Sequence, residues 1–410
     1  MSDIYQLPKK INEIAVSTPL GHTARLLFNR GSYQLIYDAP TSPLVSLTMP
    51  PGVKMIYQSG AIFPIFEMNI PEGFVRRHIS QRLQRSIGKV TDMIFLALQQ
   101  DTGIGALSYD SALRLERPQP ENLTELLQWD QQDSVFEYLL DKYLLNTSIS
   151  GVQPKVMLGA DTKGSVLFPN LIAKAGDSKY PRLPENEFHV MSMAKACGIA
   201  VPEFYLTENR ELFIIERFDI VAQRRLAMED FCVLKMRSSE KKYQGSYEEI
   251  ADAIALYTGN GAESAKFFNY VAFSCMVGNG DAHLKNYALL SESFQPEERW
   301  LAPMYDVVCT HIYPTDDHKL ALSLNKSKAF PNIDGLLAFA HRLKVVKPQD
   351  KLAAMADMIK DYLAHNAIDE IFPQLAQSIR QSLSHAMSTN NVFVRFDVKR
   401  AKRRKSDKLL

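Results

Sequence analysis

The sequence predicts an α+β protein in which a small N-terminal β-rich domain precedes a β-containing lobe and an all-helical C-terminal lobe interrupted by one hairpin. Between residues 26 and 65, short apolar runs alternate with Pro and Gly, which is typical of strands and turns. Between residues 156 and 216, further short apolar runs have the length of buried strands. Beyond residue 245, nearly every other segment has helical periodicity.

Length and composition are typical of a soluble globular protein. The 410 residues include 46% hydrophobic and 23% charged residues. Lys and Arg number 47 against 46 Asp and Glu, so a net charge of +1 argues against a globally basic nucleic-acid-binding surface. The four cysteines lack the paired spacing of zinc sites or disulfide frameworks. Because no apolar run approaches about 18 residues and the N-terminus lacks a signal core, we expect a cytoplasmic protein.

The N-terminal part predicts strands followed by one long helix. Tyr33–Tyr37 and Leu44–Met49 lie between prolines and have the character of strands. Apolar residues at helical spacing continue from Gly73 to Gln99, and a turn follows at Asp101–Gly105. Prolines near residue 120 mark a boundary. The predicted domains are therefore residues 1–120, 121–240 and 241–394, with a basic tail at 395–410.

The middle part predicts the β-containing lobe. A short helix within residues 121–145 leads into the loop Ser148–Lys155. The predicted strands are Val156–Leu158, Val166–Phe168, Leu171–Lys174 and Glu211–Glu216. Residues Pro184–Cys197 predict a helix, because Pro184 then occupies a favoured position in the first turn.

Three residues in the C-terminal half have the types and spacing of a phosphoryl-transfer centre. In kinase-type loops an Asp accepts the proton of the attacking hydroxyl, an Asn five residues later binds magnesium, and a downstream Asp completes the metal site. Asp281, Asn286 and Asp306 fit that order. Magnesium prefers hard oxygen ligands and keeps phosphate and water in its shell, so one amide and one carboxylate suffice.

Neighbouring sequence favours this centre over the alternative, an ordinary surface turn, which Asn-Gly-Asp residues also form. The apolar segment Ala265–Val277 predicts a buried helix leading into the loop. Gly278 and Gly280 are predicted to supply unusual backbone angles. Two apolar runs, Tyr287–Leu290 and Trp300–Tyr305, predict a hairpin ending beside the acidic residue. A β-containing lobe before such a helical lobe is the layout of a two-lobed kinase.

A nucleotide-binding side would need a lysine on a strand and a hinge for adenine. Lys174 ends an apolar strand, with Glu187 on the next helix as its candidate partner and Glu185 as a rival. The backbone at Glu216–Phe218 follows the strand that begins near residue 211 and is the candidate hinge. A strand-terminal surface lysine and a plain buried strand are the alternatives to these two assignments.

Two further segments are weaker candidates. Glu229 and Asp230 follow the hinge, where we expect a solvated acidic turn in preference to a ribose contact. The loop Ser148–Lys155 holds one Gly and matches neither the Walker loop nor the kinase glycine-rich loop.

Four motifs occur in the order Ser148–Lys155, Glu216–Asp219, Asn279–Asn286 and Pro303–Asp306, and two weaker ones are found at Val45–Pro50 and Asp101–Leu107. Together they resemble the HipA family of serine/threonine-kinase toxins from bacterial toxin-antitoxin pairs. The resemblance implies a protein-kinase-like fold, Mg-ATP as cofactor, Asp281 as catalytic base, and Asn286 and Asp306 as metal ligands. The implied nucleotide contacts are Lys174, Ser150, Gly151, Val152, Glu216, Phe218, His283 and Lys285.

The resemblance also implies regulation and partners. Autophosphorylation of a loop serine, Ser148 or Ser150, would eject the loop and silence the enzyme, since a phosphoserine there would repel the ATP phosphates. Family members bind a helix-turn-helix antitoxin that holds the complex on operator DNA, and characterised toxins phosphorylate aminoacyl-tRNA synthetases. The alternatives are an antitoxin-bound transcriptional corepressor with little kinase role and a small-molecule phosphotransferase. The basic tail at 395–410 is expected to be solvated, with contact to DNA as the alternative.

Overall fold

The structure is a computed structural model, and it describes residues 8–113, 115–147, 153–161, 168–292, 298–314 and 318–389. Within these ranges the chain forms an N-terminal unit (8–113), a β lobe (115–219) and a helical lobe (220–389). The α+β class and the order of a β-rich part, a β-containing lobe and a helical lobe are those predicted from the sequence.

The N-terminal unit is a five-stranded antiparallel sheet covered by helices. In β1 and β3, alternate residues are buried, as expected for a sheet with one face on a core. The spatial order is β4-β3-β2-β1-β5. The elements are β1 (Glu13–Thr18), β2 (Gly21–Asn29), β3 (Ser32–Tyr37), β4 (Ile56–Ser59), α1 (Pro64–Glu67), α2 (Gly73–Ile87), α3 (Asp92–Gln99) and β5 (Ser108–Asp110).

The strand predicted at Leu44–Met49 was wrong, because this segment forms turns. Side chains bind its backbone in place of a neighbouring strand. The N–H of Val45 donates to the Tyr37 hydroxyl at 3.0 Å, and the N–H of Leu47 donates to Glu229 Oε1 at 2.7 Å. An apolar run between prolines is therefore compatible with a buried loop as well as with a strand.

The single helix predicted for residues 73–99 is two helices. Gly88 ends α2 with a φ of 75°, a backbone conformation that only glycine adopts readily. The Thr91 side chain then caps α3 by accepting from the N–H of Ile94. Because the break preserves the apolar face, periodicity alone did not reveal it.

The β lobe contains a four-stranded sheet in the order β10-β11-β9-β7. Its strands match the predicted runs at 156–158, 171–174 and 211–216, and α6 matches the predicted helix at 184–197; residues 166 and 167 lie outside the described ranges. The elements are β6 (Glu121–Asn122), α4 (Leu123–Leu127), α5 (Val135–Tyr143), β7 (Lys155–Leu158), β8 (Ala160–Asp161), β9 (Leu171–Ala175), α6 (Leu183–Ala196), β10 (Phe204–Leu206) and β11 (Leu212–Glu216).

Both faces of this sheet are buried, each in a different hydrophobic core. Leu212 and Ile214 belong to a core that residues of the N-terminal unit share with residues of the β lobe, whereas Phe213 and Ile215 belong to the core of the helical lobe. Successive residues of a strand point to opposite faces, so this alternation follows from strand geometry. The sheet is thus the layer that the two cores share.

The helical lobe contains one three-stranded sheet, β14-β15-β16, which includes the predicted hairpin. The apolar helix predicted at 265–277 is α9, buried around most of its circumference. No helix in the described ranges is both long and apolar enough to cross a lipid bilayer. The elements are β12 (Ile220–Val221), β13 (Arg224–Arg225), β14 (Ala227–Asp230), α7 (Phe231–Leu234), α8 (Tyr247–Thr258), α9 (Gly261–Met276), β15 (Ala288–Ser291), β16 (Arg299–Leu301), α10 (Ile333–Arg342), α11 (Pro348–His365), α12 (Ile368–Ile371) and α13 (Pro373–Ala386).

A buried ion pair fastens the N-terminal unit to the segment after β11. Arg217 binds Asp219 at 2.6 Å, and both side chains are almost fully buried. The guanidinium also donates to the carbonyl oxygens of Thr102 and Gly103, while Asp219 accepts from the N–H of Gly105. A buried pair with its remaining hydrogen-bonding groups satisfied holds one geometry. This pair therefore fixes the turn of the N-terminal unit against the candidate hinge.

Replacing Arg217 with Met should destabilise the protein by about 3–5 kcal/mol, because the Asp219 carboxylate would stay buried without its cation. Urea denaturation of the whole chain measures the free energy of unfolding. The control is Arg342→Met, which removes an exposed pair with Asp252, whose side chains are 52% and 66% exposed. That loss should cost less than about 1 kcal/mol. Equal effects of the two substitutions would contradict the fastening role of Arg217.

Candidate active site

A cleft with a volume of about 430 Å³ lies where the three parts of the chain meet. Its apolar wall includes residues of all three, among them Met68 and Ile104 from the N-terminal unit, Ile172 and Ile215 from the β lobe, and Tyr305 from the helical lobe. The polar lining includes Lys155, Lys174, Asp230, Asp281, His283, Lys285 and Asp306. The cleft thus contains most of the predicted site residues.

Lys174 lies at the centre of a buried charge cluster. Its Nζ is 2.5 Å from Glu187 Oε1 and 2.8 Å from Asp306 Oδ1. Strand β9 brings the lysine, α6 brings the glutamate, and the segment after β16 brings the aspartate. Of the two partners considered, Glu187 makes the contact, because Glu185 instead binds Arg182.

Charge attraction outweighs burial at Lys174 and Asp306, whereas burial raises the pKa of Glu187 to about 7. Burial lowers the pKa of Lys174, but the charges of Asp306 and Glu187 raise it more, so the ammonium stays charged. Burial raises the pKa of Asp306, yet Lys174 and Lys155 bring it well below its ordinary range. The aspartate is therefore a carboxylate, which is the form that binds cations.

The two predicted metal ligands lie side by side. Asn286 donates from Nδ2 to Asp306 Oδ2 at 3.0 Å, and its Oδ1 accepts from the N–H of His283 at 3.0 Å. Asp306 has a φ of 58°, a left-handed conformation that Asp adopts more readily than most residues other than Gly and Asn.

Close packing and a hydrogen bond from neighbouring segments hold the loop that carries Asp281. Gly278 has a φ of 72°, and an added Cβ would lie 2.5 Å from Ser382 Oγ, so a side chain does not fit there. Gly280, in contrast, does not have the predicted positive φ; its N–H donates to Thr310 Oγ1 at 2.8 Å. Asp281 is half-buried and lines the cleft.

Lys285 connects the catalytic loop to the N-terminal unit. Its Nζ is 2.8 Å from Glu72 Oε1, at the start of α2, and 3.0 Å from Ser239 Oγ. Burial raises the pKa of Glu72, but the charge of Lys285 lowers it more, to about 2. Burial lowers the pKa of His283 to about 3, so that imidazole is neutral. Sequence alone gave no signal for Glu72, since it lies 213 positions before Lys285.

The candidate hinge lines the cleft, but much of it is already hydrogen-bonded. The N–H of Glu216 donates to Glu203 O, and the N–H of Arg217 donates to Asn170 O, both at 2.8 Å. The Phe218 ring packs on Tyr305 at 5.1 Å between centroids. The hinge therefore presents an aromatic surface together with backbone groups.

The solvated acidic turn predicted at residues 229–230 was wrong, because both carboxyl groups are buried. Glu229 accepts from Ser46 Oγ at 2.8 Å in addition to the N–H of Leu47, and burial raises its pKa to about 7. Asp230 lines the cleft and caps α7 by accepting from the N–H of Val233. Glu229 is thus a structural contact to the N-terminal unit.

Lys155 is a cleft residue that the sequence did not single out. It pairs with Lys174 across β7 and β9, and burial lowers its pKa. The strand register that places two lysines side by side cannot be read from either run alone. Some predicted residues cannot be placed: Ser148, Ser150, Gly151, Val152 and the tail at 395–410 lie outside the described residues.

Replacing Glu72 with Gln should reduce the dependence of stability on pH between about pH 5 and pH 2. The folded pKa of Glu72 is about 2, below its unfolded value, so its contribution is present above the unfolded pKa and is lost as the pH falls through the folded one. We expect the wild-type chain to lose about 1–3 kcal/mol more than the variant over this range. Denaturation midpoints at several pH values provide the measurement.

The matched control for this experiment is Glu13→Gln. Glu13 forms an exposed pair with Arg25, in which the two side chains are 52% and 50% exposed. Its loss should leave the pH profile close to that of the wild type. Parallel profiles for the wild type and Glu72→Gln would show that the contact with Lys285 does not stabilise the fold.

Two family models match the chain. The HipA N-terminal domain matches residues 14–110, and the HipA-like C-terminal domain matches residues 147–382. The “Putative kinase Y4dM” of Sinorhizobium fredii is 30% identical over 209 residues, which cover 45% of this chain and 50% of that protein. The serine/threonine-protein kinase toxin HipA of Shewanella oneidensis is 27% identical over 204 residues, covering 43% and 46%. The chain spans about half the length of the curated relatives it matches.

A solved structure shows the same fold. The HipA toxin-antitoxin complex of Shewanella oneidensis MR-1, with HipB and operator DNA, contains a chain that matches with a TM-score of 0.66 at 20% identity. The match covers 91% of this chain and 96% of that chain. The C-terminal family model alone matches more than half of the residues of this chain. The chain therefore belongs to the HipA family.

Proposed function

We propose that the protein is a Mg-ATP-dependent serine/threonine protein kinase and the toxin of a toxin-antitoxin pair. The observation that carries this proposal is the cluster of Lys174, Glu187 and Asp306. Asp306 also contacts Asn286, and Lys174 and Asp306 line the same cleft as Asp281. A strand lysine paired with a helix glutamate, beside a metal-binding aspartate, is the arrangement that positions nucleotide phosphates in protein kinases.

The residues present fit a magnesium ion with a nucleotide. The Asp306 carboxylate and the Asn286 amide each offer a hard oxygen ligand, and the two side chains are neighbours, with Asn286 Nδ2 3.0 Å from Asp306 Oδ2. The described residues hold no cluster of three or more His, Cys, Asp or Glu side chains placed to bind a metal. One carboxylate and one amide match a magnesium ion that keeps phosphate and water ligands. When bound, Mg-ATP would supply the phosphoryl group and neutralise its developing charge.

The chain's own residues then have distinct tasks. Lys174 and Lys155 would hold phosphate oxygens, and the apolar wall with Phe218 would hold the base. Asp281 would accept the proton of the acceptor hydroxyl, since it lines the same cleft and is partly exposed. His283 and Lys285 would contact the nucleotide from the catalytic loop. In the loop at residues 148–152, either serine is the proposed site of silencing autophosphorylation.

The partners are proposed from similarity to the complex from Shewanella oneidensis, whose title names HipA, HipB and operator DNA. We propose that this chain likewise binds a small helix-turn-helix antitoxin and, through it, operator DNA. The proposed substrate is a protein, with an aminoacyl-tRNA synthetase as the first to be tested. The same proposal includes three domains, at residues 1–120, 121–240 and 241–394, a basic tail at 395–410 and a cytoplasmic location.

The test of the proposed chemistry is Asp281→Asn. The wild-type chain incubated with Mg-ATP should gain about 80 Da by intact mass spectrometry, the mass of one phosphate. The substitution should slow this gain at least about 100-fold, because the carboxylate is needed to accept the hydroxyl proton. The control is Asp252→Asn, an exposed residue of α8 that should label at the wild-type rate. Labelling of Asp281→Asn at the wild-type rate would refute its assignment as the base.

A growth experiment separates the toxin from the corepressor alternative. Expression of the wild-type chain without an antitoxin should arrest bacterial growth, whereas Asp281→Asn should permit growth at equal protein levels. The physical reason is that arrest requires phosphoryl transfer, whereas a corepressor requires only binding. Growth curves with quantified expression provide the measurement. Equal, harmless behaviour of both chains would favour the corepressor.

A further inference from the structure

A tyrosine hydroxyl donates a hydrogen bond to the proposed catalytic base. Tyr243 donates to Asp281 Oδ1 at 2.8 Å, and both residues line the cleft. The Tyr243 side chain is at the mouth of the cleft, where the residue is 44% exposed. Its ring contacts His283 edge-on, with 5.1 Å between centroids and an interplanar angle of 79°. The tyrosine therefore reaches Asp281 from the solvent side.

A substrate hydroxyl must come within about 2.6–3.2 Å of its general base. The Tyr243 hydroxyl already lies at that distance from Asp281. We propose that Tyr243 is an internal stand-in for the substrate, and that it closes the acceptor position until a serine or threonine hydroxyl displaces it. This inference rests on the proposed function, because it takes Asp281 as the base.

Several bonds besides the one from Tyr243 hold the loop that carries Asp281. The N–H of Asp281 donates to Asn279 Oδ1 at 3.0 Å, and the loop is fastened further by the bond between Gly280 and Thr310. A second tyrosine, Tyr247, donates to Ala282 O at 2.9 Å from within the core. These bonds hold the backbone of the loop in addition to the contact between Tyr243 and Asp281.

The backbone around Tyr243 is anchored, so its side chain is the part that moves. Lys328 Nζ donates to Tyr243 O at 3.2 Å, and the N–H of Ser323 donates to Gly245 O at 3.1 Å. Rotation about χ1 would carry the exposed ring into solvent without moving these anchors, a change that takes picoseconds to nanoseconds for an exposed side chain. The acceptor hydroxyl would replace the lost hydrogen bond to Asp281.

The test compares Tyr243→Phe with the wild-type chain in two reactions with Mg-ATP. These are phosphate gain by the chain itself, followed by intact mass, and ADP formation with water as the acceptor. Removing the competing hydroxyl should raise both initial rates about three- to tenfold, the range for an ordinary hydrogen bond, because exposure to water weakens a bond to a charged group. Peptide mapping should find no phosphate on Tyr243 of the wild-type chain.

The matched control is Tyr247→Phe. It also removes a tyrosine hydroxyl that donates to the catalytic loop, but the acceptor of that bond is Ala282 O and not Asp281. It should lower the thermal midpoint and raise neither rate. Three outcomes would each overturn this inference while leaving the proposed function standing. They are unchanged or reduced rates for Tyr243→Phe, an equal gain in rate for Tyr247→Phe, and phosphate on Tyr243. Inactivity of the wild type and of Tyr243→Phe alike would overturn both.

Discussion

The burial of the Lys174 ammonium between the carboxyl groups of Glu187 and Asp306 is the constraint on which the rest of the structure depends. Moving a charge out of water costs several kcal/mol, and only well-placed partners offset that cost. Glu187 and Asp306 come from different lobes, so their approach to 2.5 and 2.8 Å requires the lobes to be held together. Asp306 makes its contact with Lys174 from a left-handed backbone conformation.

The N-terminal unit helps to hold the two lobes together. Its core extends onto one face of the sheet that carries Lys174, and the pair of Arg217 and Asp219 fixes its turn against the hinge. It also supplies Glu72 to the catalytic loop and Met68 and Ile104 to the cleft wall. A contact between Glu72 and Lys285 gives the unit a direct influence on a residue beside the base.

Sequence predicted the features that depend on local pattern. The strand ending in Lys174, the helix with Glu187 and the apolar helix before the catalytic loop each have a periodicity that fixes their type. It could not predict contacts set by packing over long separations, such as Glu72 with Lys285 or Glu229 with Leu47. Two local features were predicted wrongly. The turns at Leu44–Met49 depend on hydrogen bonds to side chains far away in the sequence, and the helix break at Gly88 depends on one backbone angle.

The shared sheet has a consequence for how this chain can be divided. One face of β11, with Leu212 and Ile214, lies in a core that α5 of the β lobe shares with α2 of the N-terminal unit, where the Phe136 and Phe74 rings are 6.0 Å apart. A shortened chain starting after residue 113 would expose the part of this core that α2 covers, and an exposed apolar patch of this kind promotes association between molecules. The catalytic half is therefore not a separable module: its solubility depends on residues that carry none of the proposed chemistry.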